Sequence, residues 1–256
     1  MQDLSTITVE VDGAVCSVTL DRPEKLNPLS VTCQRELIEV AEWLDAQPEI
    51  RAVVIRGAGR AFSAGADLSS FGTDAALEPR ESGDLGLRMV EAIAGIDAVT
   101  IAAVHGHCIG GGVLLATACD LRIADEEARF AIPEVDLGIP LTWSGIPRLV
   151  REIGPAATKD LVLSCRRFGA DEARLLGVVT RVVSVGDLDR AARELAEEMA
   201  RRSRYAVRSV LEAVDACAEE MVGTGRSWAD ADQLATAFHD AESREAGARY
   251  LAERRK

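Results

Sequence analysis

The stretch VTIAAVHGHCIGGGVLL, residues 99–115, decides how this chain is read. It joins an apolar, strand-like run (Val99–Val104) to a helix-like run starting at Val113, and it sets Gly106, Gly110, Gly111 and Gly112 between them. Glycine is costly inside either kind of element, so this density marks backbone that turns sharply or comes close to something. The first N–H groups of a helix have no intrahelical acceptor and point outward. The junction therefore reads as a set of donors around Gly111.

Two neighbouring stretches give those donors a use. Upstream, a second buried-strand candidate, IRAVVIRG (residues 50–57), leads into GRAFSAGADLSS (59–70), where Gly65 lies between Ala64 and Ala66 and Asp67 follows. Either loop alone reads as a tight turn, but donors from two loops can converge on one oxygen and stabilise the charge developing there. Downstream, RFAIPEVDLGIP (129–140) places Glu134 directly after Pro133, among Phe130, Ala131, Ile132, Val135 and Leu137. Exposure is the commoner fate of a loop glutamate. In apolar company, however, a desolvated carboxyl has its pKa raised and becomes a candidate general acid or base.

The rest of the chain frames these loops. ITVEVDGAVCSVTLDRP (7–23) alternates apolar residues at Ile7, Val9 and Val11 and again at Cys16, Val18 and Leu20, with Asp12-Gly13 as the turn of a hairpin. SVTCQRELIEVAEWLDAQ (30–47) has Leu37, Val40, Ala41 and Leu44 at helical spacing, with Ser30 as N-cap. A further helix is expected around GLRMVEAIAGI (86–96), so strands and helices alternate as in an α/β core. From Asp187 onward only helical patterns appear, which divides the chain into a core, residues 1–190, and a helical region, 191–256, too small to stand alone.

The 256 residues carry a net charge of −13, which argues against a nucleic-acid binder and leaves any polyanionic ligand to a local basic patch. The opening MQDLSTITVE lacks the basic start and apolar run of a secretory leader, and no segment reaches the ~18 apolar residues of a membrane span. Six cysteines without CxxC or His-paired spacing read as reduced core residues of a cytoplasmic protein, with no metal or disulfide role.

Taken together, DRPEKLNPLS, AFSAGADL, IAAVHGHCIGGGVLLATACDLRIA, FAIPEVDLGI and the ending ARYLAERRK resemble the crotonase family, the enoyl-CoA hydratase/isomerase group of acyl-CoA enzymes. The resemblance implies a spiral of repeated ββα units with a C-terminal helical region that makes trimers or hexamers. It also implies an oxyanion hole from the N–H groups of Ala66 and Gly111, which holds the thioester carbonyl of an acyl-CoA while Glu134 moves protons at the adjacent carbon. Family hydratases carry a first glutamate where this chain has Leu114, so a single acid remains, which suits moving a double bond better than adding water. Enzymes that shift conjugated dienes use a further acid where this chain reads Leu141. Substrate contacts carried over by the motifs are Lys25, Leu26, Ala64, Asp67, Leu68 and Gly110. Tyr250 takes the place of a tail phenylalanine near the adenine, with Glu253 and Arg254 where a lysine is expected. Coenzyme A belongs to the substrate, and no separate cofactor is implied.

Other residues have plainer readings. His107 and Cys108, adjacent in sequence, are taken as lining residues rather than a nucleophilic pair. Trp143 lines an acyl pocket or is simply packed. The aspartates of ACDLRIADEE read as turn and solvent-facing charges. The alternatives to isomerisation are hydration, another reaction of the family such as thioester hydrolysis or decarboxylation, and a relative that binds acyl-CoA without catalysis. GAGRAF lacks the rest of a dinucleotide fingerprint, and GHCIGGG lacks the Lys-Ser/Thr of a phosphate loop.

Overall fold

Asp12-Gly13 turns the first alternating pattern into a hairpin of β1 (Ile7–Asp12) and β2 (Val15–Leu20), paired antiparallel, with Gly13 left-handed at φ 62°. A computed structural model describes residues 4–68 and 77–253 of the chain, apart from the side chain of Arg226. Ser69, Ser70 and Arg254 lie outside the described residues. Helix α1 (Val31–Asp45) follows, its Ser30 hydroxyl accepting from the Cys33 N–H at 3.2 Å, and it buries Leu37, Val40, Ala41 and Leu44.

A ββα motif then repeats. Strands β3 (Ala52–Gly57) and β4 (Ala61–Ser63) precede α2 (Pro79–Ala94); β5 (Val99–Val104) and β6 (His107–Ile109) precede α3 (Gly111–Ala118); β7 (Leu121–Asp125) and β8 (Arg129–Ala131) precede α4 (Gly145–Ser164). In each unit the longer strand joins one sheet and the three-residue strand joins another, so the chain winds as a coil. With β9 (Phe168–Gly169), α5 (Ala170–Leu176) and β10 (Arg181–Val183), the sheets run β1-β2-β3-β5-β7-β10 and β4-β6-β8-β9. Pairing is parallel from β2 to β10 in the first sheet, while β8 and β9 pair antiparallel in the second.

β5 is buried along its whole length, as a central parallel strand requires. Its one polar side chain, Thr100, is satisfied by Asp120, whose Oδ2 accepts from the Thr100 N–H at 2.7 Å and from its hydroxyl at 2.8 Å. Asp120 is thus a fixed partner of the sheet, and Asp125 is buried, so neither is the solvent-facing charge expected. Cys16, Cys33, Cys108 and Cys119 are core residues, whereas Cys165 is half-buried and Cys217 is exposed.

One face of the large sheet packs on α1, α2 and α3; the other is covered by α6 (Leu188–Ala200) through Leu188, Ala192, Leu195 and Ala196. The 190/191 division therefore falls inside a helix that belongs to the core. Helices α7 (Arg204–Met221), α8 (Asp230–His239) and α9 (Ala241–Glu253) complete the described chain. No helix among the described residues is long and apolar enough to cross a membrane.

Candidate active site

The two glycine loops meet because β4 and β6 are parallel neighbours whose C-terminal ends open side by side. Gly65 has φ 86°, and a Cβ there would lie 2.4 Å from the Ile109 carbonyl oxygen and 3.2 Å from the Gly111 nitrogen. Only glycine lets the first loop come this close to the second. The loop is fixed from below by Ser63, whose buried hydroxyl accepts from the Gly65 N–H at 3.1 Å and donates to the Asn27 carbonyl at 2.8 Å. Leu29 N–H donates to the Gly65 carbonyl at 2.8 Å and Ala64 N–H to the Leu26 carbonyl at 2.8 Å, which ties the loop to the RPEKLN turn. Asn27, left-handed at φ 54°, holds that turn with Nδ2 bonds to the carbonyls of Ala58 and Ala61.

In the second loop Gly110 is the N-cap of α3, which makes the Gly111 N–H a first-turn donor with no acceptor inside its own helix. Gly110 has φ 51°, its N–H donates to Ala131 at 2.8 Å, and a Cβ there would lie 2.5 Å from Glu134 Oε1. The carboxyl of Glu134 therefore rests against the bare backbone of Gly110. The residue as a whole keeps partial exposure, but its Oε2 is sealed from solvent and finds no hydrogen-bond partner among the described residues. This desolvation pushes its pKa up to about 7, poised to take or give a proton near neutrality.

Ala66, Gly111, Leu114 and Glu134 line a single cavity of about 30 Å³ together with Ser82, Ile139, Leu141, Thr142, Trp143 and Leu234. The space holds about one water. Leu114 and Leu141, the positions read as replaced acids, both face it, so Glu134 is the only titratable group among the described lining residues. Trp143 is both packed, at 5% exposure, and lining. Leu234, from α8, is a wall the sequence reading missed; it gave that region to assembly and to a tail contact at Tyr250.

The other candidates are more dispersed. Lys25 is exposed on the 3₁₀ turn Pro23–Lys25, and Leu26 caps that turn in the left-handed region. Asp67 pairs with Arg22 at 3.6 Å. Leu68 lines a second, apolar cavity of about 300 Å³ with Leu137, Phe238 and Leu251, which shares Ile139 with the first. Tyr250, half-buried on α9, is not among the described lining residues of either. Neither are His107 and Cys108. Successive residues of β6 face opposite ways, and Cys108 is fully buried in the core with its thiol pKa raised by that burial. No group of three or more His, Cys, Asp or Glu among the described residues is placed to hold a metal ion.

A coil of ββα units with one long and one short strand per turn, closed by C-terminal helices, defines the crotonase fold class. The enoyl-CoA hydratase/isomerase family model matches residues 10–256, and the chain belongs to that family. It is 35% identical over 214 residues to the short-chain-enoyl-CoA hydratase of Clostridium acetobutylicum, covering 83% of this chain and 82% of that one. Over 217 residues it is 36% identical to the peroxisomal Delta(3,5)-Delta(2,4)-dienoyl-CoA isomerase of Arabidopsis thaliana, covering 80% and 78%. The solved enoyl-CoA hydratase/isomerase of Mycobacterium paratuberculosis superposes with a TM-score of 0.87 at 28% identity, covering 96% of this chain and 99% of that one.

Proposed function

We propose that this enzyme acts on an enoyl-CoA thioester with Glu134 as its only acid/base, and that it shifts the double bond rather than adding water. The observation that carries the reading is the cavity where the loop residues Ala66 and Gly111 meet one desolvated carboxyl, with Leu114 at the place of a second. The thioester carbonyl oxygen accepts from the N–H groups of Ala66 and Gly111. The Glu134 carboxylate removes a proton from the carbon beside the carbonyl, and the electron pair moves onto that oxygen as an enolate. The same proton then passes from Glu134 to the carbon two positions further along, which leaves the double bond conjugated with the thioester. Each oxyanion donor is worth about 100- to 1000-fold in rate in other enzymes. Lys25, exposed beside the loop entrance, is the cation offered to the nucleotide phosphates, and coenzyme A enters and leaves as part of the substrate.

Hydration is the second reading, favoured by the names of relatives such as the Clostridium enzyme. Incubation with trans-3-enoyl-CoA and, separately, trans-2-enoyl-CoA, followed by mass and chromatographic analysis, separates the two. Conversion of the first to its trans-2 isomer without a mass gain supports isomerisation. A gain of one water on the second, as the dominant reaction, overturns it.

Assembly as a trimer or a pair of trimers is part of the same proposal. Helix α7 has no buried residue, and Val210, Val214 and Met221 are exposed along one face. Such an apolar stripe on a charged helix fits burial against a second copy. Light scattering on the parent should give a trimer or a multiple of it, and a monomer at micromolar concentration would refute assembly.

A further inference from the structure

Trp143 and Ser144 are consecutive residues in the left-handed region, with φ 57° and 60°. A residue with a Cβ is strained there, a bulky aromatic more so, and two in succession persist only where surrounding contacts hold them. Those contacts come from the C-terminal segment. The Ser144 N–H donates to Asp230 Oδ2 at 2.9 Å, at the start of α8, and the buried Ser227 hydroxyl, which donates to the Thr224 carbonyl at 2.5 Å, lies 3.2 Å from the Ser144 hydroxyl and accepts from it. The strained turn places the indole against two glycines, Gly86 and Gly111, where a side chain would collide with it. A Cβ on Gly111 would lie 2.4 Å from Cζ3 of Trp143, and one on Gly86 of α2 would lie 2.0 Å from its Cε2 and Nε1. The ring thus stands against the first residue of α3 while forming a wall of the cavity that holds Glu134. With about 30 Å³ open, the position of this ring decides what fits.

We propose that Asp230 is a positioning residue: by accepting from the Ser144 N–H it fixes the Trp143–Ser144 turn, so that the indole sets the size of the acyl pocket. The C-terminal helix of a chain then selects the acyl groups accepted by the site of the same chain. This rests on the reading of acyl-CoA as the substrate.

The test uses the full-length protein and two non-reacting probes, butanoyl-CoA and octanoyl-CoA, with dissociation constants measured by calorimetry. The near-UV circular dichroism of Trp143 is obtained as the difference between each protein and its Trp143→Phe counterpart, which removes the signals of Trp43 and Trp228. Asp230→Ala should lose the Trp143 band and shift the butanoyl/octanoyl affinity ratio against the short probe by about tenfold, ~1.4 kcal/mol. Asp230→Asn keeps a carbonyl oxygen for the Ser144 N–H and should restore both. If Asp230→Ala fails to fold, Asp230→Glu, with its carboxylate displaced by one methylene, carries the same expectations. An unchanged band and ratio in Asp230→Ala would overturn the proposal, as would an Asp230→Asn protein that behaves like the alanine variant. A parent that binds neither probe overturns the substrate reading and the pocket role with it, and the Trp143 band then still reports separately whether Asp230 holds the turn.

Discussion

Replacing Glu134 by glutamine tests the base and its burial at once. The carboxyl pKa is raised from 4.5 to about 7 by desolvation, so the folded protein binds a proton there that the unfolded chain has already released over much of that interval. Stability from this site is fully present below pH 4.5 and is lost as pH rises through 7. Between pH 5 and pH 8 the loss integrates to about 2.5 kcal/mol, at 1.36 kcal/mol per pH unit of full proton difference. Glutamine does not titrate, so Glu134→Gln should gain about 2.5 kcal/mol on the parent across that window, whatever constant offset its buried amide introduces. Urea denaturation of both proteins at half-unit steps of pH measures this directly. On the proposed role of Glu134 as a carboxylate base, kcat/KM should rise with pH and level off above about 7. Glu134→Gln should abolish that rise along with nearly all activity while acyl-CoA binding persists. A stability difference that stays flat between pH 5 and 8 would refute the desolvation argument, and an active Glu134→Gln enzyme would refute the assignment of the base.

Gly110→Ala pushes a Cβ to 2.5 Å from Glu134 Oε1 at a left-handed position, and should displace the carboxyl enough to lower kcat by about 100-fold while the fold survives. Leu114→Glu adds a second carboxylate beside the first, so steady-state assays should show hydration rising relative to isomerisation, and urea denaturation should show a steeper fall in stability from pH 5 to pH 8 than the parent's. Ser63→Ala strands the Gly65 N–H in the interior and should cost about 1–3 kcal/mol of stability by denaturant titration.

The long elements were legible because their patterns exceed a turn or a pleat. Leu37, Val40, Ala41 and Leu44 mark one face of α1, and the alternation from Ile7 to Leu20 marks the hairpin. Strands β4, β6 and β8 were not, since Ala61–Ser63, His107–Ile109 and Arg129–Ala131 are too short to show any period. Yet these short strands bring the site together by laying the two loops in parallel register and carrying the chain toward Glu134. Gly65, Gly110 and Glu134 were visible as motif residues. What escaped was the second layer, Ser63 beneath the first loop and Asn27 holding the turn beside it, whose roles depend on contacts between segments more than thirty residues apart.

The helices of the C-terminal region differ in what they pack against. Its helical patterns look alike, but α6 buries four residues on the sheet, α7 buries none, and α8 sends Leu234 into the cavity while Asp230 braces the Trp143 turn. A truncation after Trp228 would therefore remove a cavity wall along with any intersubunit contact, and loss of activity in that protein would say nothing about assembly. A charge on the exposed face of α7 makes the distinction, because Val214 is 59% exposed and is absent from the described lining of the cavity that holds Glu134. Val214→Glu should disperse the oligomer in light scattering while monomers retain the Trp143 band, if each chain builds its own site. If that band disappears as the assembly comes apart, the site of each chain depends on its neighbours, and the C-terminal helices do not complete it alone.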